Sequence, residues 1–306
     1  MSAHAGPGSA AFMVATPDGA ALPVYAFGGP AQAPAVLFGH ANGLAAGSYA
    51  PWLKELAGTL RVFAFDARGH GGARWPAGAL DTVFAVDRFA DDLALIAAAV
   101  AARLQGTPLH YAGHSLNAAA ALRLATRGAR LPWSSTLLFE PPVFPPMGSP
   151  HHAEAVEKQT PLVTRSAARR AFWPNPAALA ELLRARGAFA RFRPDLLDAH
   201  CQATLRPRAE GGYTLCCPPA VESAIFRLHR QADTWQRLRP VRAALHLVSG
   251  DPALSDRGWV SACMVDMAAE LPRARLTVLP GAGHMMVFEQ PDACQELVLA
   301  MAASHA

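Results

Sequence analysis

Ser115 sits in the stretch of this chain that most plainly bears chemistry: Leu109-His110-Tyr111-Ala112-Gly113-His114-Ser115-Leu116-Asn117-Ala118-Ala119-Ala120. It reads as an apolar strand, a one-residue apex and a run of small helix formers. A serine at the apex of a sharp strand-to-helix turn presents its hydroxyl outward, and small residues must flank it because the two backbones close on each other. The pattern is that of a nucleophile elbow, G-x-S-x-G, with Gly113 in the first glycine place and Asn117 in the second. Asparagine tolerates unusual backbone angles but carries a side chain into the elbow. A serine hydroxyl is a weak nucleophile near pH 7, so it needs a base of matched pKa, for which imidazole serves, and a carboxylate to fix the imidazole tautomer. Charge developing on an attacked carbonyl needs pre-aligned donors, each worth about 3 kcal/mol.

The elements that must position such a serine follow from the apolar pattern. Strand-length apolar runs at 12–15, 22–27, 35–39, 61–66, 109–113 and 136–140 alternate with longer segments of helical period, which predicts a mostly parallel sheet with helices on both faces. Phe89, Leu93, Ile96, Val100 and Leu104 recur at helical spacing, and Asp87, Asp91 and Asp92 put negative charge at that helix's start, where its dipole favours it. The proline-rich run from Glu140 to Gly148 suits neither regular structure. From about 151 to 238 the chain reads as helices broken by proline and glycine, with no buried strand. Strand-like runs return at 244–249 and 276–279 around a helix at 259–270. The expected organisation is an α/β core over 1–143 and 239–306, interrupted by a helical cap over 144–238.

Composition narrows the function classes. With 52% hydrophobic and 16% charged residues, 306 residues build a large globular core rather than a disordered chain. The net charge of +4 comes from scattered arginines without a basic tract that would track phosphates, so nucleic acid is not an expected partner. Five cysteines, two of them the adjacent Cys216 and Cys217, form neither a disulfide framework nor a C-x-x-C metal site, and the adjacent His151 and His152 diverge too much to chelate. Reduced thiols, no signal-like N-terminus and no apolar run of about 20 residues lead to an expected cytoplasmic location without membrane insertion.

Several segments besides the elbow carry a resemblance. Phe38-Gly39-His40-Ala41-Asn42-Gly43, Asp66-Ala67-Arg68-Gly69-His70-Gly71 and Pro280-Gly281-Ala282-Gly283-His284 each follow an expected strand, in an order that resembles the α/β-hydrolase superfamily over nearly the whole chain. The resemblance implies an α/β-hydrolase fold and a capped, esterase- or lipase-like serine hydrolase without cofactor or metal. It implies Ser115 as nucleophile, His284 as base, and the amides of Leu116 and Asn42 as oxyanion donors. Arg68, His70 and Asp66 are expected to hold loops. The acid falls between serine and histidine in chain order, and the usual G-x-x-D is broken here because Ala253 stands three after Gly250. Asp251 is the preferred acid, with Asp256 and Glu140 as alternatives. His40, His114, Phe144 and Trp173 are expected around the substrate. The expected substrate is a small carboxylic ester with an apolar portion, processed through an acyl-enzyme. Lactone, thioester or carbon–carbon bond cleavage on the same fold, and a non-catalytic ligand-binding protein on this scaffold, are the alternatives; fold does not choose among them.

Overall fold

The computed structural model describes residues 9–254 and 258–304. In chain order the first half contains β1 (Phe12–Ala15), β2 (Ala21–Gly28), β3 (Ala35–Gly39), α1 (Ala50–Leu56), β4 (Arg61–Phe65), α2 (Leu80–Val83), α3 (Val86–Ala101), β5 (Leu109–His114), α4 (Leu116–Ala125) and β6 (Thr136–Phe139). Then come α5 (His152–Ala167), β7 (Phe172–Trp173), α6 (Pro176–Leu183), α7 (Pro194–Ala203), β8 (Leu205–Pro207), β9 (Tyr213–Leu215) and α8 (Pro219–Gln231). The chain closes with β10 (Leu245–Ser249), α9 (Gly258–Glu270), β11 (Ala274–Val278), α10 (Met286–Glu289) and α11 (Pro291–Ala303).

Eight strands form one sheet in the order β1-β2-β4-β3-β5-β6-β10-β11. Pairing is antiparallel for β1 with β2 and β2 with β4, and parallel from β4 onward. Every residue of β3 and β5 is buried, and β3 reads as a continuous apolar run because a parallel strand covered on both faces has no polar side. Alternate side chains nevertheless divide between two cores. Leu37, Phe63, Tyr111, Leu138 and Leu247 face α3, α4 and α9, while Val36, Phe38, Ala64, Ala112, Phe139 and Val248 face α1 and α11. Helix α3 buries Phe89, Leu93, Ile96 and Val100, the expected stripe, and ends at Ala101.

Between β6 and β10 the chain leaves the sheet, as the proline run predicts. The expectation of helices alone is corrected by a second, three-stranded sheet, β7-β9-β8. Its strands are two or three residues long, too short for a period-2 pattern to be read. Pro161 lies inside α5 rather than ending it. All five cysteines are free and buried. Among the described residues no helix is long and apolar enough to cross a membrane.

Two buried histidines give the fold a pH signature. His200 on α7 lies 3.3 Å from Ser48 and stacks on Phe189, and His70 lies in the loop after β4. Burial pushes both imidazoles down to about 3, with the charge of Arg169 adding to the effect at His200 and that of His40 at His70. In the unfolded chain both would titrate near 6.5. The unfolded state therefore binds more protons between about pH 6.5 and 3, and stability present above that range is lost as pH falls through it. The urea midpoint should drop clearly from pH 7.5 to pH 5; an unchanged or higher midpoint at pH 5 would contradict this.

Candidate active site

The elbow forms where β5 turns into α4. Ser115 adopts φ 51° and ψ −108°, a left-handed conformation costly for a residue with a side chain, and its amide donates to the Phe139 carbonyl of the neighbouring strand (2.9 Å). Asn117 explains how the elbow closes without a second glycine. Its side-chain amide donates to the His40 carbonyl (2.6 Å), and its Cβ fills the space that a Cβ on Gly39 would need, 2.5 Å away. The small residue demanded by the close approach is thus Gly39 on β3, and the asparagine ties α4 to the loop after that strand.

His284 follows β11 in a loop held from several sides. Its Nε2 lies 3.0 Å from Ser115 Oγ and its Nδ1 lies 2.7 Å from Glu140 Oε2. A carboxylate can only accept, so Nδ1 carries the proton and Nε2 keeps the lone pair that accepts from the Ser115 hydroxyl. All three side chains are buried, Glu140 completely. Burial alone would raise the Glu140 carboxyl, but the His284 hydrogen bond and charge, with donors from Ser261 Oγ and the Gly250 amide (2.7 Å), hold it below the usual carboxylate range.

Asp251, the preferred acid, is engaged elsewhere in this geometry. Its carboxylate accepts from the Ala253 amide (2.9 Å), capping its own turn, and its backbone amide donates to the Ala282 carbonyl. Glu140, one of the alternatives, occupies the place beside His284 instead. It stands just past β6 at φ 42°, with its amide donating to the Val248 carbonyl of β10. The turn that would carry G-x-x-D serves here as donor: Gly250 offers its amide to Glu140, and a Cβ on it would lie 2.5 Å from the Ala282 carbonyl oxygen. Asp256 lies outside the described residues.

Leu116 opens α4, so its amide has no partner within the helix. Asn42 faces the same cavity as Ser115 and Leu116. The amides on either side of Asn42 are already engaged, Ala41 with the Tyr49 hydroxyl (3.1 Å) and Gly43 with His70 Nε2 (3.0 Å). The Asn42 side chain donates to the Glu222 carbonyl of α8 (3.1 Å), and Glu222 accepts from Arg169 (2.8 Å). The Asp66 turn supports this loop as expected. Arg68, 1% exposed, is bidentate to Asp92 (2.6 and 2.7 Å) and reaches Asp18 (2.9 Å). Asp66 accepts from the Tyr25 hydroxyl and from the Ala46 and Gly72 amides (2.8 Å each).

None of the four residues expected around the substrate lines the cavity at Ser115. His40 is turned into the fold, donating from Nδ1 to the Ala41 carbonyl and accepting the Ala67 amide at Nε2. His114 accepts from Tyr49 at Nδ1 (2.7 Å) and donates from Nε2 to the His284 carbonyl (2.8 Å), so it braces the histidine loop. Phe144 packs on Trp259, and Trp173 is buried with its indole N–H donated to the Arg170 carbonyl. The cavity is lined by Asn42, Ser115, Leu116 and Pro142 from the sheet side and by Gln159 of α5 with Ile225, Phe226 and His229 of α8. At about 10 Å³ it holds roughly one water. Ser261 and Glu289, whose carboxylate accepts the Gly283 amide (2.5 Å) and pairs with Arg191 (2.9 Å), were not singled out by the sequence reading. A serine on an apolar helix and a glutamate on a short one carry no local signal.

Residues 36–297 match the profile of the alpha/beta hydrolase family. The chain belongs to that family. Solved structures of similar fold include E-2-(acetamidomethylene)succinate hydrolase (20% identity, TM-score 0.74, covering 92% of this chain and 95% of that one). A carboxylesterase structure from the ammonia-oxidizing thaumarchaeon Nitrososphaera gargenis is also similar (16% identity, TM-score 0.68, covering 96% and 100%). So is the thioesterase domain of the curacin biosynthetic pathway (21% identity, TM-score 0.66, covering 94% and 98%). A sequence comparison with curated proteins finds no match. At these identities the likeness concerns the alpha/beta hydrolase fold, an eight-stranded mostly parallel sheet, and the reaction must be argued from the site.

Proposed function

We propose that the protein is a serine hydrolase that cleaves a small carboxylic ester through an acyl-enzyme, with Ser115 as nucleophile, His284 as base and Glu140 as acid. The observation that carries this reading is the unbroken line Ser115–His284–Glu140 at 3.0 and 2.7 Å, all buried. Ser115 Oγ attacks the ester carbonyl while His284 Nε2 takes its proton. The carbonyl oxygen, now negative, is received by the amides of Leu116 and Asn42. His284 returns the proton to the departing alkoxide, leaving the acyl group on Ser115. Water then enters, gives its proton to His284 and attacks the acyl carbon, and the same proton restores Ser115 as the acid leaves. Glu140 stays ionised throughout, holding the imidazole in orientation and balancing its transient charge.

Residues 144–238 act in this reading as a cap, supported by α5 and α8 closing over Ser115. With room for roughly one water there, the cap must shift to admit an ester. The complete line of groups weighs against a purely non-catalytic scaffold. A cytoplasmic setting is supported by the five buried free thiols.

The test is mixing with a short p-nitrophenyl ester. An acyl-enzyme predicts turnover and, at early times, a protein mass increased by one acyl group located on the peptide containing Ser115. His284→Gln should be nearly inactive while folded. No turnover of any short ester, or full activity in His284→Gln, would overturn the proposal.

A further inference from the structure

The cavity over Ser115 carries two polar side chains that the proposed chemistry does not use, Gln159 and His229. Gln159, on α5, is 3% exposed and lines that cavity. Its Nε2 donates to the Phe226 carbonyl of α8 at 3.0 Å. A carbonyl can only accept, so the side-chain amide is held with its nitrogen toward α8 and its oxygen turned away. That oxygen is buried and has no hydrogen-bond partner. The hydrogen bond that fixes the amide spans the two helices that close the cavity, and Ser223 Oγ donating to the Val163 carbonyl (2.8 Å) joins the same pair. Gln159 is therefore a fixed, buried acceptor at the cavity wall rather than a loose surface amide.

A buried acceptor left unpaired is disfavoured, and the disfavour is relieved by a ligand that brings a donor. The surroundings limit what kind. Leu116, Pro142, Ile225 and Phe226 make the walls largely apolar, and no lysine or arginine is among the described residues lining them. His229 is the titratable ring on the α8 side of the cavity, and a carboxylate brought near the Gln159 oxygen would meet like polarity.

We propose that Gln159 Oε1 is a specificity-determining acceptor that selects an ester whose otherwise apolar body carries one neutral hydrogen-bond donor, a hydroxyl or amide N–H. The inference rests on the serine-hydrolase reading of the same site and goes beyond it by naming the group recognised. A site built around a hydrogen-bonding group rejects the analogue that lacks it more strongly than an apolar pocket rejects a missing methylene.

The test compares kcat/KM for p-nitrophenyl pentanoate with its 2-, 3- and 4-hydroxy counterparts, an N-acetylaminoacyl ester of similar length and a carboxylate-bearing ester. These are measured in the full-length wild type and in Gln159→Met, each also labelled with a fluorophosphonate. In the wild type at least one donor-bearing ester should be favoured over pentanoate on the order of ten- to hundredfold, the range expected for satisfying one buried acceptor. In Gln159→Met that ratio should fall to near one. A wild type that takes all donor-bearing esters no better than pentanoate, or that prefers the carboxylate-bearing one, overturns the inference, whether or not the variant folds. So does a preference that survives intact in a labelled Gln159→Met. A labelled wild type with flat ratios fails this inference alone, whereas a wild type that neither labels nor turns over any ester fails the hydrolase reading and this one together.

Discussion

Glu140→Gln should lower kcat for a short p-nitrophenyl ester on the order of 10⁴-fold, while Asp251→Asn changes it by less than about threefold. The two substitutions make the same chemical change at the two carboxylates between which the sequence pattern and the geometry disagree. Glutamine at 140 can turn an N–H toward His284 Nδ1, so that nitrogen becomes the acceptor and the proton moves to Nε2. There it faces Ser115 and blocks the base. Charge balance for the imidazolium is lost in the same step. Among the described residues the Asp251 carboxylate accepts from the Ala253 amide, so the amide variant keeps an acceptor in place. Equal losses in the two variants, or a loss confined to Asp251→Asn, would show that Glu140 does not orient the histidine. Circular dichroism should separate a catalytic loss at Glu140 from unfolding, because the Gly250 and Ser261 donors are left facing a changed group.

Ser115→Ala should have the larger effect, a fall in kcat on the order of 10⁵- to 10⁶-fold. The attacking atom is removed, and what survives is the contribution of the oxyanion donors and of binding. Alanine is smaller than serine and keeps the Cβ that already sits at φ 51°, so the elbow should persist and the thermal midpoint should stay within a few degrees of the wild type. A variant that retains a tenth of the wild-type rate would mean that another group performs the attack.

The positions of the elbow, the histidine loop and the core strands were legible because each depends on local pattern. Strands buried on both faces show as unbroken apolar runs, and Gly113-His114-Ser115 between a strand and an alanine-rich helix marks its own turn. The carboxylate that stands beside His284 was not legible in this way. Which carboxylate meets His284 depends on β6 and β10 being neighbours in the sheet and on the backbone turning at Glu140 into the left-handed region before two prolines. The sheet order is not encoded within a few residues of the carboxylate, and the broken G-x-x-D drew attention to the turn after Gly250 instead. Asn117 shows the converse. Read alone it is a side chain in the place of the second glycine, yet together with Gly39 on a distant strand it is a close-packed strut. The residues expected around the substrate lie away from the cavity at Ser115 for a related reason. His40 and His114 are adjacent to the chemistry in sequence, but their ring nitrogens are consumed by backbone groups and by Tyr49. The residues that do face Ser115 from above, Gln159 and the Ile225–His229 stretch, come from helices whose docking no local pattern reveals.

The central claim is that Ser115, activated by His284, is the covalent nucleophile, and the most direct measurement is intact-protein mass spectrometry after exposure to a fluorophosphonate, followed by peptide mapping. The account predicts one adduct per wild-type chain, located on Ser115, and none on Ser115→Ala under the same conditions. An adduct on a different serine, or equal labelling of the Ser115→Ala variant, would contradict it.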